Sequence, residues 1–193
     1  MKILAIGAHF DDVEIGCGGT LMRHRSAGHT LVLAVTSADE HRTGRPENRL
    51  DEQEAACKIL GTSNLRFYND DVESDVVGKL DKLNPDIVFT MYHRDTHQAH
   101  RRASSIGTAV GRKKNITTYY YDSGSSYDFH PQVFCKINFN RKMELIESFK
   151  SQLKCGAVNL DIIRKKEAYW AALISDDSEY AEAFVVRKLE YKV

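Results

Sequence analysis

The sequence predicts an α/β fold, a three-layer sandwich built on a mostly parallel sheet. Apolar runs of strand length alternate with stretches of helical spacing through the first half of the chain, and glycines close several of the helices. Strands alternating with helices imply crossover connections and parallel pairing.

Residues 2–8 (KILAIGA) form a continuous apolar run, the pattern of a strand buried on both faces. Residues 14–27 read as a helix stopped by Gly28, and residues 30–37 (TLVLAVTS) as a second, β-branched strand. Residues 47–60 place Leu50, Ala55, Ala56, Ile59 and Leu60 at roughly helical spacing before Gly61. A short strand over 65–68, a helix over 72–83 and a fourth strand over 86–91 (DIVFTM) follow. Beyond it the pattern predicts helices over 99–112, 141–153 and 160–174, and strands over 117–121, 133–138 and 183–187.

A length of 193 residues suits one domain, 1–193, with a single substantial core. Lys and Arg number 27 and so do Asp and Glu, which removes the electrostatic case for a nucleic-acid or anionic-lipid binder. No apolar run approaches the length of a bilayer span, and the N-terminal run meets Asp11 and Asp12 too soon for a signal peptide. Cys17, Cys57, Cys135 and Cys155 make no CxxC pair, so reduced thiols and a cytoplasmic location are expected.

In a parallel sheet, ligands bind beyond the carboxyl ends of the strands where the strand order reverses. Two chemistry-bearing segments fall at such ends. AHFDDVE (8–14) follows the first strand and puts His9, Asp11 and Asp12 on one turn. HRDTHQAH (93–100) follows the fourth and holds three of the eight histidines beside Asp95. Two histidines and an aspartate from these turns would make the three-ligand set of a catalytic zinc site with its fourth position open to water. The remaining carboxylate would serve as base and another histidine as acid or oxyanion partner. Gly16, Gly18 and Gly19 fit neither GxGxxG nor a Walker sequence and read as close helix–sheet packing. Cys17 has no evident orienting partner that would make it a nucleophile.

Together the two segments resemble the AHPDDxE and HxxDxHxDH motifs of the PIG-L/LmbE-like zinc-dependent N-deacetylases. RLDEQEAACKILG (49–61), SQ at 151–152 and YAEAF at 180–184 are weaker echoes. The resemblance implies a Rossmann-like fold, a Zn2+ or similar divalent ion held by His9, Asp12 and His100, Asp11 as general base, and His97 stabilising the oxyanion. It also implies that Arg49 and Asp70 contact sugar hydroxyls. Two positions depart from the pattern. Phe10 stands in place of proline. Ala99 stands in place of the aspartate that supports the active-site histidine, leaving Asp95 as the candidate for that support. The expected activity is removal of an N-acetyl or other N-acyl group from an amino sugar or sugar conjugate. A non-sugar amide substrate and a metal-retaining but weakly active homologue are the alternatives. The expected partner is a small N-acetylated sugar or glycoconjugate, with no nucleic acid and no membrane span, and a homo-oligomer is left open.

Overall fold

A computed structural model describes residues 1–38, 48–174 and 179–189. The elements run β1 (Lys2–Gly7), α1 (Asp12–Ser26), β2 (Thr30–Val35), α2 (Arg49–Leu60), β3 (Asn64–Arg66), α3 (Glu73–Asp81), β4 (Ile87–Met91) and α4 (Gln98–Val110). They continue with β5 (Thr117–Tyr121), β6 (Val133–Lys136), α5 (Phe139–Ile146), α6 (Lys150–Lys154), α7 (Leu160–Ala172) and β7 (Ala181–Lys188).

The strands form one seven-stranded sheet in the order β3-β2-β1-β4-β5-β7-β6. Pairing is parallel from β3 through β5, with Ile3 opposite both Leu31 and Ile87. β7 then runs antiparallel to both β5 and β6. The sheet is therefore mostly parallel, as the alternating pattern predicts. Every residue of β1 after Lys2 is buried, which accounts for its unbroken apolar run. Right-handed crossovers place α1 and α2 on one face and α3 and α4 on the other, since the chain leaves β1 first toward β2 and returns to its other side as β4. The contacts agree: α1, α2 and α5 pack together, and α3 packs on α4.

Gly16 has a specific reason to lack a side chain. A Cβ there would lie 2.0 Å from the ring of Tyr121, whose hydroxyl donates to the carbonyl of Ile6 at 2.8 Å. Helix α1 thus sits directly on the sheet.

Most boundaries differ from expectation by one to three residues. The start of the second predicted helix at Glu47 lies outside the described residues. The largest difference is the helix expected over 141–153, which is two helices, α5 and α6. Phe149, fully buried, caps the second, and the Glu52 carboxylate accepts from both the backbone N–H and the hydroxyl of Ser151 at 2.7 Å. This tertiary anchor overrides local helical spacing. Among the described residues no helix is long and apolar enough to cross a membrane.

Candidate metal and catalytic site

The strand order reverses between β1 and β4, and both predicted segments begin there. Asp11 caps α1 without a side-chain capping bond, at φ +106°. Few residues other than glycine accept that conformation, although aspartate accepts it more readily than most. The strained turn leaves the carboxylate unengaged by its own helix and puts it in the cavity wall. Arg49, 1% exposed at the start of α2, donates to the Phe10 carbonyl and lies 3.3 Å from Asp11 Oδ2.

Asp12 opens α1 and turns back toward the strand. Its Oδ2 accepts the backbone N–H groups of His9 (2.8 Å) and Ala8 (3.1 Å) and lies 3.4 Å from His9 Nδ1. Its Oδ1 is 3.5 Å from His100 Nε2. Burial disfavours its charge, but the His9 and His100 imidazoles and the His9 amide outweigh burial and hold the carboxyl well below its usual range.

The second segment caps and opens α4. Asp95, 2% exposed, accepts from His100 Nδ1 at 3.0 Å and from the backbone N–H of His97 at 2.7 Å. A carboxylate on Nδ1 keeps the proton there and turns the Nε2 lone pair toward Asp12. Burial lowers the His100 pKa, but Asp95 and Asp12 outweigh it and the net shift is upward. His97 is exposed, stacks on His100 at 4.5 Å and meets the His9 ring edge at 4.7 Å. Burial, then the charges of His9 and His100, push its pKa down. Among the described residues no carboxylate is hydrogen-bonded to the His97 ring. Asp95 therefore supports the His100 ring and only the His97 backbone. Ala99 is half-buried and packs against the core.

Ligand atoms of His9, His97 and His100 lie within 4.8 Å of one another. Two zinc ligands at about 2.1 Å from the ion are separated by no more than about 4.2 Å, so small side-chain rotations close the set. With Asp12 beside them, the donors are imidazole and carboxylate, which fit a borderline divalent ion. The imidazole trio shares His9 and His100 with the set that the resemblance implies and adds His97.

These groups form the floor of a cavity of about 460 Å³, a size suited to a small ligand. One wall is Ser123, Gly124 and Ser125, and another is made by Val158, Asn159, Ile162 and Lys166. Of the positions singled out in sequence, His9, Asp11, Asp12, Arg49, His97, His100 and Gln152 of the SQ pair line this cavity, and Asp95 stands behind His100. Asp70 is exposed after β3 and is not among the described residues lining the cavity. Arg102 bonds to the carbonyls of Thr36 and Asp71, and Arg101 to those of Asp95 and Thr96. Sequence reasoning missed Ser125 and Lys166. A serine-rich loop and a lysine in an amphipathic helix carry no local signal of a site.

The profile described as PIG-L: GlcNAc-PI de-N-acetylase matches residues 4–110. A curated relative, the uncharacterized deacetylase YaiS of Escherichia coli K12, is 29% identical over 167 residues, 77% of this chain and 90% of that protein. A conserved protein of Thermus thermophilus has a crystal structure that superposes with a TM-score of 0.82 at 26% identity, over 99% of this chain and 96% of that one. N,N'-diacetylchitobiose deacetylase of Pyrococcus horikoshii superposes at 0.77 with 19% identity, covering 96% of this chain and 83% of that one. The 4-carboxy-2-hydroxymuconate hydratase GalB from strain KT2440 superposes at 0.80 with 17% identity, over 100% and 98% of the two chains. One fold therefore carries more than one reaction, and the last two likenesses speak for the fold alone. The profile match spans more than half of the 193 residues and includes both site segments, so the chain belongs to the PIG-L family.

Proposed function

We propose that this protein is a metal-dependent N-deacetylase acting on an N-acetylated amino sugar or its conjugate. The observation that carries the reading is the meeting, at the switch point of the sheet, of His9 and Asp12 with His100, next to Asp11, whose carboxylate makes no capping bond to α1 and pairs with Arg49. His9, Asp12 and His100 would hold the ion. When bound, a zinc-like ion supplies Lewis-acid polarisation of an amide carbonyl and lowers the pKa of water.

The chain's own groups do the rest. Asp11 Oδ accepts a proton from the attacking water as its oxygen bonds to the amide carbon. The Arg49 guanidinium and the left-handed turn fix where that carboxylate points. The His97 ring donates to the carbonyl oxygen as it gains negative charge. The carbon–nitrogen bond then breaks, and Asp11 or His97 protonates the leaving nitrogen, because an amide anion is a poor leaving group. Acetate and a free amine result. The aliphatic side chains of Ile15, Val158 and Ile163 face this floor and limit water around it.

The test is acetate release from a panel of N-acetylated sugars, sugar nucleotides and glycosides, with N-acetylated non-sugar amines alongside. Release from sugar substrates alone supports the reading. Release only from non-sugar amides would keep the chemistry and overturn the substrate class.

A further inference from the structure

The loop after β5 enters the cavity wall with an internal brace. Asp122 Oδ1 accepts the backbone N–H groups of Gly124 (2.8 Å) and Ser126 (3.2 Å), folding the loop on itself. Gly124 sits at φ +121°, where a side chain would be strained. From α7, Lys166 Nζ donates to Asp122 Oδ2 at 3.1 Å and to the Asp122 carbonyl at 3.2 Å. The folded loop delivers Ser125 Oγ to within 2.8 Å of Asp95 Oδ1 and 3.0 Å of His100 Nδ1. The Ser125 carbonyl accepts from Thr96 N at 3.3 Å, and Asp95 bridges Ser126 across the backbone.

We infer that Asp122 and Lys166 are positioning residues for the metal site and act through Ser125 on His100. The inference rests on His100 being a ligand, as the proposed function has it. His100 Nδ1 carries one hydrogen. Asp95 can only accept it, and Ser125 gives its own hydrogen to Asp95, so its oxygen also faces Nδ1 as an acceptor. Two acceptors on one side fix the tautomer and the ring plane and leave the Nε2 lone pair facing Asp12. With Asp95 alone, the ring could pivot about a single bond. The serine is held in place by Asp122, and Asp122 by a lysine from a helix that the family match does not reach. Ser125 and Lys166 also line the cavity, but the role inferred for the brace is exerted through His100.

The experiment titrates the metal-stripped full chain with zinc against a chromophoric chelator and records the histidine tautomers of the stripped protein by 15N NMR. Ser125→Ala and Asp122→Ala should each weaken zinc binding by roughly 10–100-fold, the usual effect of losing an outer partner of a ligand. The double variant should lose little beyond the weaker-binding single variant, because both act on one contact. Lys166→Arg should retain most of the affinity that Lys166→Met loses. His100 should drift from the Nδ1–H form in Asp122→Ala. Should that variant fail to fold, Ser125→Ala, which removes only the hydroxyl facing His100 Nδ1, takes its place in the tautomer measurement. Losses that multiply in the double variant, or unchanged zinc affinity, would overturn the inference. If the wild type takes up no zinc, the metal reading of the site fails on its own. The tautomer of Asp122→Ala then decides this inference: a shift upholds the brace and an unchanged ring overturns it.

Discussion

Asp11 adopts a backbone conformation seldom seen outside glycine, and it does so at the first turn of a helix that its side chain leaves uncapped. An aspartate at a helix start ordinarily bonds to backbone amides. Here Asp12 takes the amides and Asp11 takes the cavity. AHFDDVE discloses that two carboxylates share a turn, but their division of labour needs the backbone angle. Arg49 shows the same limit. The resemblance implies a contact with sugar hydroxyls, and the structure sets its guanidinium 3.3 Å from Asp11 Oδ2. Asp11→Asn should preserve metal content and slow turnover by roughly 10²–10⁴-fold, as expected for an acid–base group. Elemental analysis beside the kinetics checks it, and loss of metal would make Asp11 a ligand. Ala99 gives a second prediction. Asp95 is engaged by the His100 ring, so Ala99→Asp should supply His97 with a hydrogen-bonding carboxylate and raise turnover at neutral pH by roughly 10–100-fold. Unchanged or lower turnover with intact fold would show that the contact of Ala99 with the core matters more.

At the scale of elements, helix α1 is held from behind by buried charge. Lys142 Nζ, 0% exposed, donates to Glu167, to Glu182 (2.6 Å) and to the carbonyl of Ile15 (2.7 Å). Glu182 in turn accepts the backbone N–H groups of Gly19 (2.8 Å) and Thr20 (2.7 Å) in the middle of α1. Removing the ammonium would strand two buried acidic side chains, so Lys142→Met should destabilise the fold by about 3–5 kcal/mol in denaturant unfolding. Burial, with Glu182 adding to it, raises the Glu167 pKa to about 7 against the pull of Lys142 and Lys166. The unfolded chain ionises Glu167 near 4.5 while the folded chain still holds its proton. This group therefore makes stability fall as pH rises from about 4.5 to about 7 and adds no further slope above. Glu167→Gln should flatten that part of a stability–pH curve, and an unaltered slope would refute the assignment. Of this triad only Glu182 falls in a segment that the sequence singles out, YAEAF, and its partners are not legible there. The three residues are spread over 40 positions, and Lys142 and Glu167 look like surface charges of amphipathic helices. The central strands β1 and β4 are legible, because burial on both faces writes itself as unbroken apolar runs. The division between α5 and α6 was not, because Glu52 enforces it from a distant helix.

For the molecule as a whole, the site is a product of topology. His9 and His100 are far apart in sequence and meet because β1 and β4 are neighbours at the reversal of strand order. That much follows from the alternation of strands and helices, which is why the metal-binding types could be found without coordinates. The facing wall could not. It comes from residues 123–125 and 156–166, past the reach of the family profile, where no motif marks it. We propose that one divalent ion at His9, Asp12 and His100 is what makes the protein a deacetylase. The most direct test of this proposal is acetate release from the best N-acetylated sugar substrate by metal-stripped protein, before and after titration with zinc. Activity should be absent from the stripped protein and should return in step with uptake of about one equivalent of metal, the number a single three-ligand site holds. Full acetate release without metal, or stoichiometric uptake that restores none, would contradict it.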